Sequence, residues 1–395
     1  MFSDRRKIDQ KTSRAINRRL ILNLIRRNGA MSRTDLSMMT GLSPATVGFV
    51  VGSLIDEGFL VSREAQGKGN GRRPVPVALN VDGNLAIGVQ TRLGRIECIL
   101  ADFEINVIDR QSATLEDHAP ETLVAAAGKA IRELLRARRP DQRVLGVGLT
   151  VPGRLDTANG LCLGSHRFGW KTEVPIARMM SEEVGFHVYL EDDTLAFALA
   201  HHMFGLGQNC ENFGALAVGD GIGYGVVMDA KVRHGALGNA GKVGHVMHDE
   251  TGPPCECGRR GCLQAFYSFS ALSDRWSATG SDVQLVEAVN RKDPAAVAMV
   301  SEAGGAIGRH LGEWVTVTDP EMIVLGAEAV ALGDAFIGSL EDALAHAYYR
   351  KPIPLIRADD SSYYWTAGAA AVVIQQVFDF EAAPAYSTSI PVDFV

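Results

Sequence analysis

Lys242-Val-Gly-His245 is followed ten residues later by Cys255-Glu-Cys257-Gly-Arg-Arg-Gly-Cys262-Leu-Gln264, and this stretch organises the reading of the whole chain. Three of the six cysteines fall within eight residues, interleaved with Gly258 and Gly261. Thiolates and a neutral imidazole suit tetrahedral zinc, and glycines let a backbone turn tightly around an ion. With three or four protein ligands at hand and no catalytic role demanded, a closed structural site is expected rather than an open one. C-x-C followed by C-x4-C is not the commonest zinc spacing. Spacing alone therefore leaves a second option, a set of small buried residues beside an incidental histidine.

Working outward, 395 residues are too many for one ordinary core, and 46% hydrophobic with 22% charged residues is the balance of a globular protein. No apolar run reaches the roughly 18 residues of a membrane span. The start, Met1-Phe-Ser-Asp-Arg-Arg-Lys7, is basic but leads into no apolar core or cleavage site. Cys98, Cys162 and Cys210 are scattered, as reduced thiols would be, so a cytoplasmic protein is expected. Charge is uneven. Residues 1–80 hold 14 Lys+Arg against 6 Asp+Glu, a net of +8, within a chain whose net charge is −7. A basic arm on an acidic body points to nucleic acid for the arm alone.

The arm reads as helix, turn, helix. Residues 1–14 show no periodicity and are expected to fray. Leu20, Ile21, Leu24 and Ile25 recur at helical spacing between Asn17 and Arg27. Ser32 caps a second helix with Asp35 as its capping-box acid. Thr40-Gly41-Leu42 is a tight turn, and Ser43-Pro44 opens a third helix that carries Val47, Val50, Val51, Leu54 and Ile55 inward. That arrangement places the third helix in a major groove, N-terminus first, with Ser43, Ala45, Thr46 and Phe49 at base edges and Arg33 nearby. Phe59–Ser62 and Val75–Leu79 read as strands around Gly67-Lys-Gly-Asn-Gly-Arg-Arg73, a wing presenting Lys68, Arg72 and Arg73 to phosphate or minor groove. A helical bundle with a solvated basic loop is the bland alternative.

From Leu85 onward strands alternate with helices. The strands are near 86–90, 96–101, 107–113, 144–151 and 188–190, then again near 215–218, 225–228 and 322–325. This predicts an α/β body whose rough repetition implies two similar lobes. The expected division is 1–80 for the DNA-binding head, 81–193 for the first lobe and 194–395 for the second, with the C-terminal helix returning to the first lobe.

Five segments carry a family resemblance: Leu190-Glu-Asp-Asp193, Gly219-Asp-Gly-Ile-Gly-Tyr-Gly225, Gly238-Asn-Ala-Gly-Lys-Val-Gly-His245, the cysteine cluster, and Asp319-Pro-Glu-Met-Ile-Val-Leu-Gly326. Together they resemble the ROK family, which groups bacterial sugar kinases with sugar-responsive transcriptional repressors. The resemblance implies a two-lobed actin-like ATPase fold with its ligand between the lobes. It also implies structural zinc held by His245, Cys255, Cys257 and Cys262. The winged helix ahead of the body resembles the repressor branch. An effector site is implied at His166, Asp192, Asp193, Lys242, His245 and Gln264.

Departures from the family pattern exclude as much as the matches include. Where family kinases carry Asp-x-Gly-Gly-Thr, this chain has Gln90-Thr-Arg92-Leu93-Gly94. An acid that organises phosphate or metal has become Gln90, and a glycine whose backbone approaches phosphate has become Arg92. Gly326-Ala327 replaces a glycine pair. Asp193 matches the family's catalytic base, yet a base without its phosphate loop transfers nothing, so no catalytic residues are expected. Asp192 stands for an Asn, Lys242 for a Glu, Gln264 for a Glu and His166 for an Asn. The exchange at Lys242 favours an effector with an anionic group, unless Lys242 pairs with Asp192 or Asp193. The expectation is a repressor of a carbohydrate operon that binds double-stranded DNA as a homodimer or homotetramer. The alternatives are an active sugar kinase with an added head and a DNA-binding protein whose body is only a scaffold.

Overall fold

Two serines place the helices of the head. In the computed structural model, which describes residues 10–63, 75–349, 352–358 and 361–378, α1 spans Gln10–Asn28. It begins earlier than the sequence led us to expect. Residues 10–14, read as frayed, are helical: they contain no glycine or proline, and Arg14 is laid over the ring of Phe49 at 5.3 Å. The Ser32 side chain accepts from the Asp35 amide and Asp35 reaches back to the Ser32 amide, so α2 (Arg33–Thr40) opens on a capping box. Gly41 ends it at φ +69°, a conformation that glycine adopts without strain. Ser43 then caps α3 (Pro44–Asp56) by accepting from the Thr46 amide. Val47, Val50, Val51 and Leu54 are buried. The hairpin β1 (Leu60–Ser62) and β2 (Val77–Leu79) follows, in antiparallel register Leu60↔Leu79, with Met31 bridging to Val77. Lys68, Arg72 and Arg73, expected at the wing tip, lie outside the described residues.

The body is built twice on one plan. In the first lobe β3 (Asn84–Arg92), β4 (Arg95–Ala101) and β5 (Val107–Thr114) form an antiparallel meander. After helix α4 (Pro120–Leu134), β6 (Arg143–Thr150) joins β3 in parallel. A small hairpin, β7 (Arg154–Asp156) and β8 (Leu161–Gly164), and helix α5 (Ile176–Val184) lead to β9 (Val188–Glu191), which gives the order β5-β4-β3-β6-β9. Helix α6 (Asp193–Phe204) crosses to the second lobe. There β10 (Phe213–Val218), β11 (Ile222–Met228) and β12 (Lys231–Val232) make a second meander. The cysteine segment and helices α7 (Leu263–Tyr267), α8 (Phe269–Ser277), α9 (Leu285–Asn290) and α10 (Pro294–Thr318) follow. Then β13 (Ile323–Gly326), helix α11 (Gly333–Ala347) and β14 (Leu355–Arg357) complete the order β12-β11-β10-β13-β14. The two sheets share a topology that no letter-by-letter repeat discloses.

The last helix, α12 (Ser361–Phe378), packs on β3 and β6 of the first sheet and against α6. Its approach needs glycine underneath. A Cβ built on Gly148 would sit 1.8 Å from the Ala369 carbonyl oxygen, and one on Gly88 would sit 2.7 Å from that of Thr366. Ala367, Ala369, Ala370 and Ala371 present the matching small side chains, all fully buried. The head joins the same core. The Phe103 ring lies tilted between Phe59 of the head at 6.0 Å and Phe378 at 5.2 Å, Asn23 Nδ2 donates to the Phe378 carbonyl at 2.6 Å, and the Arg26 guanidinium donates to the Met203 carbonyl at the end of α6.

Candidate effector cleft and metal centre

A cavity of about 930 Å³ opens between the lobes, lined by residues of both. His166, Asp192, Asp193, Lys242, His245 and Gln264 all line it. Their charges are not free. Asp192 caps α6, accepting from the Thr194 and Leu195 amides at 3.0 and 3.2 Å, and Lys242 Nζ pairs with its other oxygen. Asp193, next to it, has its carboxyl pushed above the usual range by burial and by the Asp192 charge, against the pull of Lys242 and Arg167. Across the cavity Arg167 pairs with Glu256 at 3.1 Å, and Gln264 Nε2 donates to the same carboxylate at 3.1 Å. Lys242 is thus neutralised by Asp192, which removes the ground on which an anionic effector was expected. The two departures at 192 and 242 act as one compensated exchange.

Another corner of the cavity is crossed by Arg92. Its guanidinium pairs with Glu328 and lies 3.7 Å from Asp220, both in the second lobe. Gln90 is buried, and its Oε1 lies 3.1 Å from the Thr366 hydroxyl of α12, which is also 3.2 Å from Glu97. Leu93 is exposed at the hairpin tip. Ala327 holds φ +69°, a region that costs a non-glycine residue of order 1–3 kcal/mol.

Below the cavity the cysteine segment folds into a knuckle. Met247 bridges Cys262, Pro254 bridges Arg260, and the Cys255 amide donates to the Arg259 carbonyl at 2.7 Å. A side chain at Gly261 (φ +73°) would strike the Asp249 carbonyl at 1.7 Å, so only glycine permits this turn. The donor atoms of His245, Cys255, Cys257 and Cys262 all lie within 4.8 Å of one another. Cys255 Sγ is 3.5 Å from His245 Nδ1, and Cys257 Sγ is 3.7 Å from Cys262 Sγ. A tetrahedral zinc with Zn–S near 2.3 Å and Zn–N near 2.0 Å has donor edges of about 3.5–3.8 Å, which these two distances match, and the chemistry of the donor set suits that ion. Burial lowers the His245 pKa, which favours the neutral imidazole that a metal needs. The competing imidazole, His248, faces His310 at 3.2 Å instead.

In the head Ala45 and Arg33 are exposed, whereas the Ser43 and Thr46 hydroxyls lie 2.9 Å apart and bond to each other. Sequence reading missed Glu256, Asp220, Glu328 and Thr366. The first three stand inside or beside quoted motifs, but nothing in the linear order shows which arginine each would meet. Among the described residues no single helix is long and apolar enough to cross a membrane.

Comparison with known proteins gives a consistent picture. The family model described as the ROK family matches residues 86–376, and one described as winged helix-turn-helix DNA-binding matches residues 14–61. The chain is 27% identical over 389 residues to the xylose repressor of Caldicellulosiruptor bescii, covering 92% of this chain and 97% of that one. It is similar to the crystal structure of a ROK family transcriptional regulator, a homologue of the Escherichia coli MLC protein, with TM-score 0.82 and 24% identity over 93% of this chain and 98% of that one. The ROK hexokinase from Thermus thermophilus aligns with TM-score 0.62 and 28% identity, over 74% of this chain and 99% of the enzyme.

Proposed function

We propose that this chain, which belongs to the ROK family, is a transcriptional repressor of a carbohydrate uptake or catabolic operon, relieved by a sugar or sugar derivative in the interlobe cleft. The observation that carries this reading is the pairing of Arg92 with Glu328 and Asp220. A cation and two acids tie the lobes together at the loop that kinases of this family use for nucleotide phosphate, and a winged helix is packed on the other side of the same core. Relatives named as xylose repressors support the same conclusion. The head acts as residues 1–80 and the lobes divide at 193. The protein works in the cytoplasm as a homodimer or homotetramer, since half-site recognition needs at least two heads.

In this reading Arg33, Ser43, Ala45, Thr46, Lys68, Arg72 and Arg73 face DNA. His166, Asp192, Asp193, His245 and Gln264 face a neutral polyol. The metal is zinc, held by His245, Cys255, Cys257 and Cys262; when bound it supplies rigidity to the loop that aims Glu256 into the cleft and to Gln264 beside it. The test is binding of the purified chain to its own promoter DNA, with release by one of a panel of neutral sugars, sugar acids and sugar phosphates. Binding without release by any of them reduces the body to a scaffold.

The partly buried Asp193 favours a second reading, an active sugar kinase. Turnover of ATP with hexoses well above that of an Asp193→Ala control would establish it in place of the first.

A further inference from the structure

Helix α3 presents an unusual face for a helix that enters a groove. Its buried side is Val47, Val50, Val51 and Leu54. Its outward stripe is Ala45, Gly48, Phe49 and Gly52, spaced to lie in one line along the helix. Phe49 is 61% exposed. A Cβ built on Gly48 or Gly52 meets none of the described residues within 4 Å, so among these the two glycines serve no packing and leave the outer surface smooth.

The polar atoms of α3 are occupied or few. Ser43 Oγ accepts from the Thr46 amide at 3.1 Å and bonds the Thr46 hydroxyl at 2.9 Å. Ser53 Oγ donates to Glu57 at 2.7 Å. The helix, Pro44-Ala-Thr-Val-Gly-Phe-Val-Val-Gly-Ser-Leu-Ile-Asp56, contains no Arg, Lys, Asn or Gln. Guanine is read in the major groove through bidentate Arg or Lys, and adenine through Asn or Gln. This helix can do neither. What an apolar face can read there is the C5-methyl group of thymine. The basic balance of the head and the exposed Arg14 and Arg33 commit the occupant to duplex DNA, and Arg14 stacked over Phe49 sets a cation beside the aromatic ring.

We infer that α3 recognises its operator through thymine methyl groups, with Phe49 as the principal contact and Ala45 and the Thr46 methyl as lesser ones. Affinity then comes from phosphate contacts, and sequence preference at α3 comes from burial of methyl groups against a smooth apolar helix. This rests on the proposed repressor function, because it requires that the head bind specific DNA.

The experiment uses the full chain and a pool of random duplexes from which bound sites are selected. The best selected duplex is then remade with deoxyuridine for thymidine, which removes each methyl and keeps every base pair. We expect wild-type protein to bind the uracil duplex more weakly, by about fourfold for each buried methyl lost. Single deoxyuridine replacements should place that loss at two or three thymines per half-site. Phe49→Ala, a change at an exposed position, should bind the two duplexes with affinities much closer together. Equal wild-type affinity for thymine and uracil duplexes overturns the inference, as does Phe49→Ala retaining the full discrimination. Failure to bind or enrich any duplex overturns the repressor reading itself, and is distinct from specific binding that ignores the methyl groups.

Discussion

Lys242, on the loop leading into the cysteine knuckle, forms an ion pair with Asp192, the residue that caps α6. The pair joins the two lobes at the floor of the cleft and leaves Asp193 as the neighbouring carboxyl that burial and Asp192 keep harder to ionise. Removing Lys242 would leave two adjacent acids facing each other. We expect Lys242→Ala to cost about 1–2 kcal/mol, less than a fully buried pair because Lys242 is partly solvated. Asp192→Asn in the same protein should restore part of the loss, since asparagine keeps the cap while dropping the charge. Denaturant unfolding of the two variants checks this; a double variant no more stable than Lys242→Ala would show that the charge is not what matters.

Metal should be present at about one equivalent per chain by elemental analysis. Cys257→Ser should abolish it. Loss of the ion should raise the proteolytic susceptibility of the segment from His245 to Cys262, because ligation and folding of the knuckle are one process. His245→Ala at full metal occupancy would instead assign the imidazole ligand to His248.

Acid should weaken the fold through α6. Burial pushes the pKa of both His201 and His202 down to about 4 from an ordinary 6.5, with Arg26 and Arg27 adding to the effect at His202. Among the described residues neither ring nitrogen of His201 has a hydrogen-bond partner, and the ring stacks on Tyr364 and meets Phe197 edge-on. The unfolded chain therefore takes up these protons first. Stability is fully present above pH 6.5, declines as pH falls from there to about 4, and changes no further below that on their account. The loss between pH 7 and 5 should be on the order of 2 kcal/mol per imidazole. His201→Phe should roughly halve that pH slope in denaturant titrations; an unchanged slope would place the acid sensitivity elsewhere.

Communication between cleft and head should depend on Arg26. Helix α6 starts at the acids of the cleft and ends where Arg26 of α1 donates to the Met203 carbonyl, with Phe204 and Phe378 under its guanidinium. A coupling of about 1–3 kcal/mol between effector and operator is typical of such regulators. Arg26→Ala should retain operator binding and sugar-induced thermal stabilisation while losing most of the sugar's effect on operator affinity. Full retention of that effect would mean that another contact carries the signal.

Local chemistry was legible from the chain alone. The Ser32–Asp35 capping box, the Ser43-Pro44 helix start, the turn at Gly41 and the strand periodicity of the body all depend on residues within four positions of one another. The cysteine segment was legible for the same reason, its four donors falling within eighteen residues on a glycine-rich turn. Tertiary structure alone decided the pairings. Whether Lys242 meets a ligand or Asp192 depends on residues 50 positions apart, and whether Arg92 meets phosphate or Glu328 on residues 236 apart. A charge seen in sequence has a sign but no partner; only the approach of the two lobes determines which opposite charge lies within Coulombic reach, and so whether the cleft offers a cation or a neutral, hydrogen-bonding floor.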